Sequence, residues 1–405
     1  MSSIWKKATI VLLVLALVAA FGFSCGNGEK KTTTIIIGAH LDLTGPAAPA
    51  LTPGRMALED VVRYCNDENL IPGVRLKVVF YDGNLKPSRD VPGWDWLKNK
   101  GAQVIITAIP FTTLTLKSFA ERDRVPIISL SNTEAFRVPP GWVFCPPPSF
   151  GDQVKTVLDW VGKSDWTEAR PARIGVFQWD DPAAKEITQK VKDWCQAHSG
   201  KFEFVASVTA PMGSMLLGSA QTEPLKNCDY VFLFGTGAPY FMKAYRQAGH
   251  TATFLGDSSI SSNSNFLGKL VGWDGLDGTL TAEIEYWWDE QHGTIPLSKE
   301  LIQRYRPGEA SDLIGGGKNY KGFTTLYMGV LQILEAAINE VGIENFDGQA
   351  FYNACLTTTV RIDGYPDMSY GQTKRESLDY IKIYEWKADG QHLVSRSDWI
   401  PLIRE

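Results

Sequence analysis

Two short stretches carry the most chemical meaning in this chain: Phe111-Thr112-Thr113 and Ser131-Asn132-Thr133. Each follows an aliphatic, β-branched run, Val104 to Ala108 and Val125 to Leu130, and each precedes a helix-like pattern. A helix start presents unpaired N–H donors and partial positive charge. Hydroxyls beside such donors can hold a carboxylate without a buried arginine. The same residue types also cap helices, so capping and ligand donation both stand at these positions. Trp179-Asp180-Asp181, Gly235-Thr236 and Asp257-Ser258 end three more apolar runs. Asp181 or Asp257 offers the anion that a ligand ammonium needs once it leaves water, and Trp179 offers a flat apolar face. Thr236 and Ser258 add hydroxyls. The competing readings are a solvated loop or cap for each Asp and core packing for Trp179. Asp42, Glu283 and Glu285 are further acids near the same strand ends, with structural roles weighing more heavily for each.

Catalytic motifs do not emerge. Gly235-Thr236-Gly237 opens like a dinucleotide loop but lacks the third glycine, and Gly315-Gly316-Gly317-Lys318 lacks phosphate-loop spacing. There is neither an HExxH nor a GxSxG pattern, and the five histidines are scattered. Cys195 and His198 make a lone pair without metal-site spacing. The expectation is a non-enzyme with no cofactor and no metal. A net charge of −5 leaves no basic footprint, which argues against nucleic acid.

The elements that must position these residues follow a regular plan. Strand patterns fall at Thr33 to Gly38, Arg75 to Tyr81, Val104 to Ala108 and Val125 to Leu130. Helix patterns at Met56 to Cys65, Trp94 to Lys100 and Thr115 to Asp123 separate them. This alternation predicts βαβ units and a parallel sheet. Pro146-Pro147-Pro148 interrupts it, since three prolines fit neither a helix interior nor a central strand. The pattern restarts with strands at Arg173 to Trp179, Phe202 to Thr209, Asp229 to Phe234 and Thr253 to Gly256. Helices Ala183 to His198 and Phe241 to Ala248 lie between them. Thr279 to Glu285 reads as a strand leading back to the first unit, and Gly322 to Val341 as a long helix with a core-facing stripe. A late strand, Tyr380 to Trp386, precedes a hairpin at Gly390. The fold class is therefore α/β, with two Rossmann-like lobes joined by a multi-crossing hinge. Such a hinge makes a closing cleft. A length of 405 residues at 44% hydrophobic content suits two such lobes.

The first residues read differently. Lys6 and Lys7 precede an uncharged apolar run, Ala8 to Phe21, and Gly22-Phe23-Ser24-Cys25 ends it. That is the layout of a secretory signal, and a cysteine after small residues marks Cys25 for lipid attachment. Residues 1–25 are expected to be the leader and 26–32 a tether. An ordinary cleaved signal and an uncleaved anchor are the alternatives. Export permits disulfides, and Cys195 and Cys228 are possible neighbours. Removing Cys25 leaves five cysteines, so at least one stays unpaired within the chain.

Ile35-Ile36-Ile37-Gly38 followed by Leu43-Thr44-Gly45-Pro46 resembles the opening of type I periplasmic binding proteins, in particular the leucine/isoleucine/valine-binding subfamily. Val104-Ile105-Ile106, Thr112-Thr113, Val125-Pro126-Ile127-Ile128-Ser129 and Asn132-Thr133 resemble its carboxylate-binding region. Arg173 to Val176, Asp229 to Phe232 and Arg246 through Gly256 resemble its second lobe. The resemblance implies lobe one at 33–150 and 282–383 and lobe two at 151–281 and 384–405. It also implies an amino acid or related carboxylate or amide in the interlobe cleft. The partners it implies are a membrane ABC permease and, through Cys25, the membrane itself, at a periplasmic or cell-surface location. A sensory receptor of the same fold is the alternative. Where relatives carry an aromatic this chain has Pro182 and Ala183, Ser258 stands where an acid is expected, and Ala50 replaces a tyrosine. These departures point to a solute without an α-amino group.

Overall fold

The computed structural model describes residues 32–180, 182–261 and 264–404. The first lobe is built on five parallel strands in the order β2-β1-β3-β4-β5. They are β1 (Thr33–Leu41), β2 (Val74–Asp82), β3 (Ala102–Thr107), β4 (Ile127–Ser129) and β5 (Val143–Phe144). Helices α1 (Ala48–Asp67), α2 (Asp90–Asn99) and α3 (Pro110–Asp123) connect the first four. Residues of β3 and β4 such as Val104, Ile105, Ile106, Ile127 and Ile128 are almost fully buried, as expected where helices cover both sheet faces.

After α4 (Phe150–Trp160) the second lobe repeats the plan. It comprises β6 (Ala172–Trp179), α5 (Pro182–Ala197), β7 (Phe202–Ala210), β8 (Tyr230–Leu233), α6 (Ala238–Gln247), β9 (Thr253–Gly256) and β10 (Leu280–Glu283). The chain then returns to lobe one through α7 (Ile295–Tyr305), α8 (Tyr320–Val341) and α9 (Gly348–Thr357). A small ribbon follows, β11 (Thr359–Val360) with β12 (Met368–Ser369). Last come β13 (Tyr380–Lys387), β14 (His392–Ser395) and β15 (Ile400–Pro401). The second sheet runs β14-β13-β10-β9-β8-β6-β7, with β10 and β13 antiparallel and β15 against β13. All of β10 and β13 sits in this sheet, so the crossings fall just after Glu283 and just before Tyr380.

Helix α8 shows how sequence dictates position. Asn319 accepts the Gly322 N–H at 3.3 Å as its N-cap, and Gly342 at φ +82° ends it. Phe323, Tyr327, Val330, Leu331 and Leu334 form its buried stripe. The stripe packs on α1 at Gly54, where a Cβ would come within 3.0 Å of the Phe323 ring. Helix α1 starts earlier than Met56: Pro49 occupies its first turn, where a proline costs no hydrogen bond, and Pro53 lies inside the helix. Its entry is fixed by buried Asp42, whose carboxylate accepts Gly45 N–H at 2.6 Å and Ala47 N–H at 2.8 Å. Asp42 therefore shapes a turn. Cys65, Cys145, Cys195, Cys228 and Cys355 are all free and buried, so Cys195 and Cys228 form no bridge. Among the described residues no helix is long and apolar enough to cross a membrane. The leader, the tether up to residue 31 and Cys25 lie outside the described residues.

Candidate functional site

The carboxyl ends of both sheets face one another across a cleft, the place where open α/β sheets bind ligands. Counted out to its open mouth, the cleft encloses about 1180 Å³. Lobe one contributes Ala50 and Leu51 of α1, Phe111 at the start of α3, Leu130 and Ser131 after β4, and Phe323 and Leu326 of α8. Lobe two contributes Trp179, Met212, Phe234, Gly235, Gly237, Ser258 and Ser259. The crossing segments add Pro147, Phe150, Ile284 and Glu285. The lining is thus aromatic and aliphatic over most of its extent. Phe150 and Phe234 meet edge to face with centroids 4.9 Å apart. Gly237 lets the Trp179 indole press close, because a Cβ there would lie 2.5 Å from its ring nitrogen.

Four of the residues expected from sequence line this cleft: Phe111, Ser131, Trp179 and Ser258. The neighbouring hydroxyls are engaged elsewhere. Thr112 donates to Asp90 at 2.9 Å, and Thr113 shares bonds with Thr107 at 2.7 Å and Ser129 at 3.1 Å. Asn132 donates to the Pro147 carbonyl and the Glu376 carboxylate, both at 3.0 Å, tying three segments together. Thr133 is buried at the start of the helical turn Glu134–Arg137. Asp257 is fully buried, and its Oδ1 accepts the Ser259 N–H at 2.8 Å and the Ser259 hydroxyl at 2.5 Å. Burial pushes the Asp257 carboxyl up to about 7. Asp181 lies outside the described residues. Only the backbone of Thr236 is described, between the two lining glycines.

The sequence reading missed Phe150, Met212, Phe234, Phe323 and Leu326. Part of their signal was available: Phe150 and Phe323 fall in the first turn of a helix and Met212 and Phe234 just beyond a strand end, whereas Leu326 lies one turn further into α8. Glu285 is the one carboxylate among the described lining residues, and Lys321 stands 3.5 Å from it. Both side chains are nearly inaccessible, so burial raises the Glu285 carboxyl while Lys321 opposes the rise.

A second set of contacts joins the lobes beside the Ser131 loop. Both carboxylate oxygens of Glu186, on α5, accept the Glu134 N–H at 3.2 Å. Lys190, one turn further, stands 3.3 Å from the Glu134 carboxylate. These bonds exist only while the lobes are together. Glu186→Ala should therefore shift the population toward the open form and weaken solute binding about fivefold, the worth of about 1 kcal/mol, while leaving the cleft walls intact. Calorimetric titration checks this, and an unchanged affinity would show that the bond does not bias closure.

A family model described as periplasmic binding protein matches residues 34–391. The chain belongs to the periplasmic binding protein family. The match spans both lobes, the crossings and every cleft wall, and makes the chain a solute-binding protein with the type I fold rather than an enzyme. Solved structures agree on the fold at low identity. A branched-chain amino acid ABC transporter protein from Thermus thermophilus with bound valine is 17% identical, covers 91% of this chain and 97% of its own, and has a TM-score of 0.75. A solute binding protein from R. palustris in complex with benzoate is 18% identical, over 92% and 98%, at 0.73. A fatty acid ABC transporter substrate-binding protein from Thermomonospora curvata is 15% identical, over 91% and 92%, at 0.77. A comparison with curated proteins returns no match. In this binding protein the cleft, not a catalytic centre, is where specificity has to be found.

Proposed function

We propose that this binding protein is the lipid-anchored, extracytoplasmic receptor of a membrane ABC importer, and that its solute is a small carboxylic acid or amide without an α-amino group. The observation that carries the second part is the cleft wall. Phe111, Phe150, Trp179, Phe234 and Phe323 surround the solute space, and Ser131 stands at the end that faces the start of α3. An α-ammonium in such a space needs an unspent anion. Glu285 already has Lys321 at 3.5 Å, and Asp257, whose Oδ1 alone is bonded, to Ser259, is fully buried and does not line the cleft. Relatives of the same fold include proteins with bound valine and bound benzoate, so the fold itself is neutral between the two solute types. On this reading Phe111, Ser131, Trp179 and Ser258 contact the solute.

Matched pairs test the reading. Each amino acid is compared with its deaminated acid and amide, for example leucine with 4-methylpentanoate and 4-methylpentanamide. Ligand at a hundredfold excess over its Kd stabilises the folded form by about 2.7 kcal/mol, which moves the thermal midpoint by several degrees. The acid or amide is expected to give this shift and the amino acid none. A shift with leucine alone would restore an amino-acid pocket, and no shift with any small solute would point to a structural envelope role.

A further inference from the structure

Resting on that reading of the cleft, one segment of lobe two adds to it. Strand β7 is the edge strand of its sheet and ends at Ala210. The chain then runs without regular structure through Pro211-Met212-Gly213-Ser214-Met215-Leu216-Leu217 to Gly218. Met212 is 43% exposed, Met215 49% and Leu216 97%. A run of three large apolar side chains in water calls for a covering partner. The segment has room to move: its described backbone is held by one turn bond, Ser214 N–H to the Pro211 carbonyl at 3.1 Å. Gly213, at φ +85°, has no atom within 4 Å of where its Cβ would be, and the same holds for Gly218.

Position decides what the segment covers. It leaves β7 at the carboxyl end, on the cleft side, and Asp180 N–H donates to the Ala210 carbonyl at 2.8 Å, which seats its root beside Trp179. Met212 already lines the cleft next to that indole. The apolar wall therefore continues out of the cleft into Met215 and Leu216. We infer that residues 211–217 are an apolar strap that folds over the far end of the solute, and that the solute is an elongated acid or amide whose alkyl or aryl tail runs past Trp179 to Met212. Unbranched methionines suit the task, because their flexible thioethers fit tails of different shape.

The test is calorimetric titration of the intact protein with straight-chain monocarboxylates from butanoate to dodecanoate. The native protein is compared with the double variant Met215→Ser/Leu216→Ser. Both positions are exposed, so the variant retains the fold, which its thermal unfolding checks. Each buried methylene strengthens binding about fourfold. The native protein should gain affinity along the series, whereas the variant should match it at butanoate and fall tenfold or more behind at decanoate. Equal length profiles in the two proteins would overturn the strap and leave the acid-binding cleft standing. An equal loss at every length would also overturn it, since a strap over the tail cannot act on butanoate. Normal binding with lost uptake in reconstituted vesicles would assign the loop to permease docking instead. Binding of no member by the native protein would overturn both the strap's acid solute and the acid reading of the cleft.

Discussion

Lys321→Met should destabilise the protein by about 3–5 kcal/mol at neutral pH, the usual cost of stranding one member of a buried ion pair. The reason is local. Lys321 and Glu285 are 3% and 5% exposed and 3.5 Å apart. Gly322 packs against the Glu285 carboxylate so closely that a Cβ there would collide with it. Lys321 also sits 5.1 Å from the Trp287 ring centroid, so its stem and charge are both embedded. Without the ammonium, burial raises the Glu285 carboxyl further than it does now. A raised carboxyl keeps its proton in the folded state at a pH where the unfolded chain has lost it. The deficit should therefore be largest at neutral and alkaline pH and shrink as pH falls toward about 4.5, near the unfolded value. Urea unfolding at pH 5 and pH 8 measures both ends. Adding Glu285→Leu to the same chain should recover most of the loss, because two apolar residues then replace a broken pair. A single-variant cost below about 1 kcal/mol would mean that water reaches the pair.

The order of strands and helices was legible because both periodicities are strong and the punctuation is plain. The α8 stripe and the proline break after Cys145 both stand in the structure. Helix starts were read too late where proline intervenes. Helix α3 begins at Pro110 rather than Thr115, and α1 at Ala48 rather than Met56, since a proline near a helix N-terminus interrupts little. The site was harder. That Phe111, Ser131, Trp179 and Ser258 border the cleft was legible from strand-end placement. Which way a hydroxyl turns was not legible, because its partner is distant in sequence. Thr112 finds Asp90, and Asn132 finds Glu376, 244 positions along the chain. The ammonium partner imagined at Asp257 is a buried loop brace, a role set by Ser259 two residues later. The apolar walls were underweighted because a Phe beyond a strand end has the same composition signal as a core Phe. Only the second lobe closing opposite distinguishes them.

Stability should fall as pH rises from about 5 to 8, and Glu283→Gln should remove much of that slope. Glu283 is fully buried at the end of β10, where burial and the neighbouring Glu285 carboxylate push it up to about 8. Its surroundings suit a neutral acid. The Trp386 indole donates to the Thr281 hydroxyl at 3.1 Å, and that hydroxyl donates to Glu283 Oε1 at 2.7 Å. Glu283 Oε2 lies 2.6 Å from the Ser261 hydroxyl, which accepts a hydrogen bond from a protonated carboxyl while donating its own to the Ser258 carbonyl at 3.1 Å. The chain of donors thus runs in one direction through a protonated carboxyl without leaving a gap. With the folded value above the unfolded one, the contribution is complete below about pH 4 and is lost as pH rises through 8. Asp257, raised to about 7, adds to the same slope. At about 1.4 kcal/mol for each unit, Glu283 alone tilts stability by several kcal/mol. A glutamine amide donates where the acid proton did and accepts where Oε1 did, so the variant should equal the native protein near pH 4.5 and exceed it near pH 8. Urea midpoints across that range decide the matter. A glutamine variant that is weaker by the same amount at every pH would show that Glu283 is held as an anion, and the one-way proton chain would be wrong.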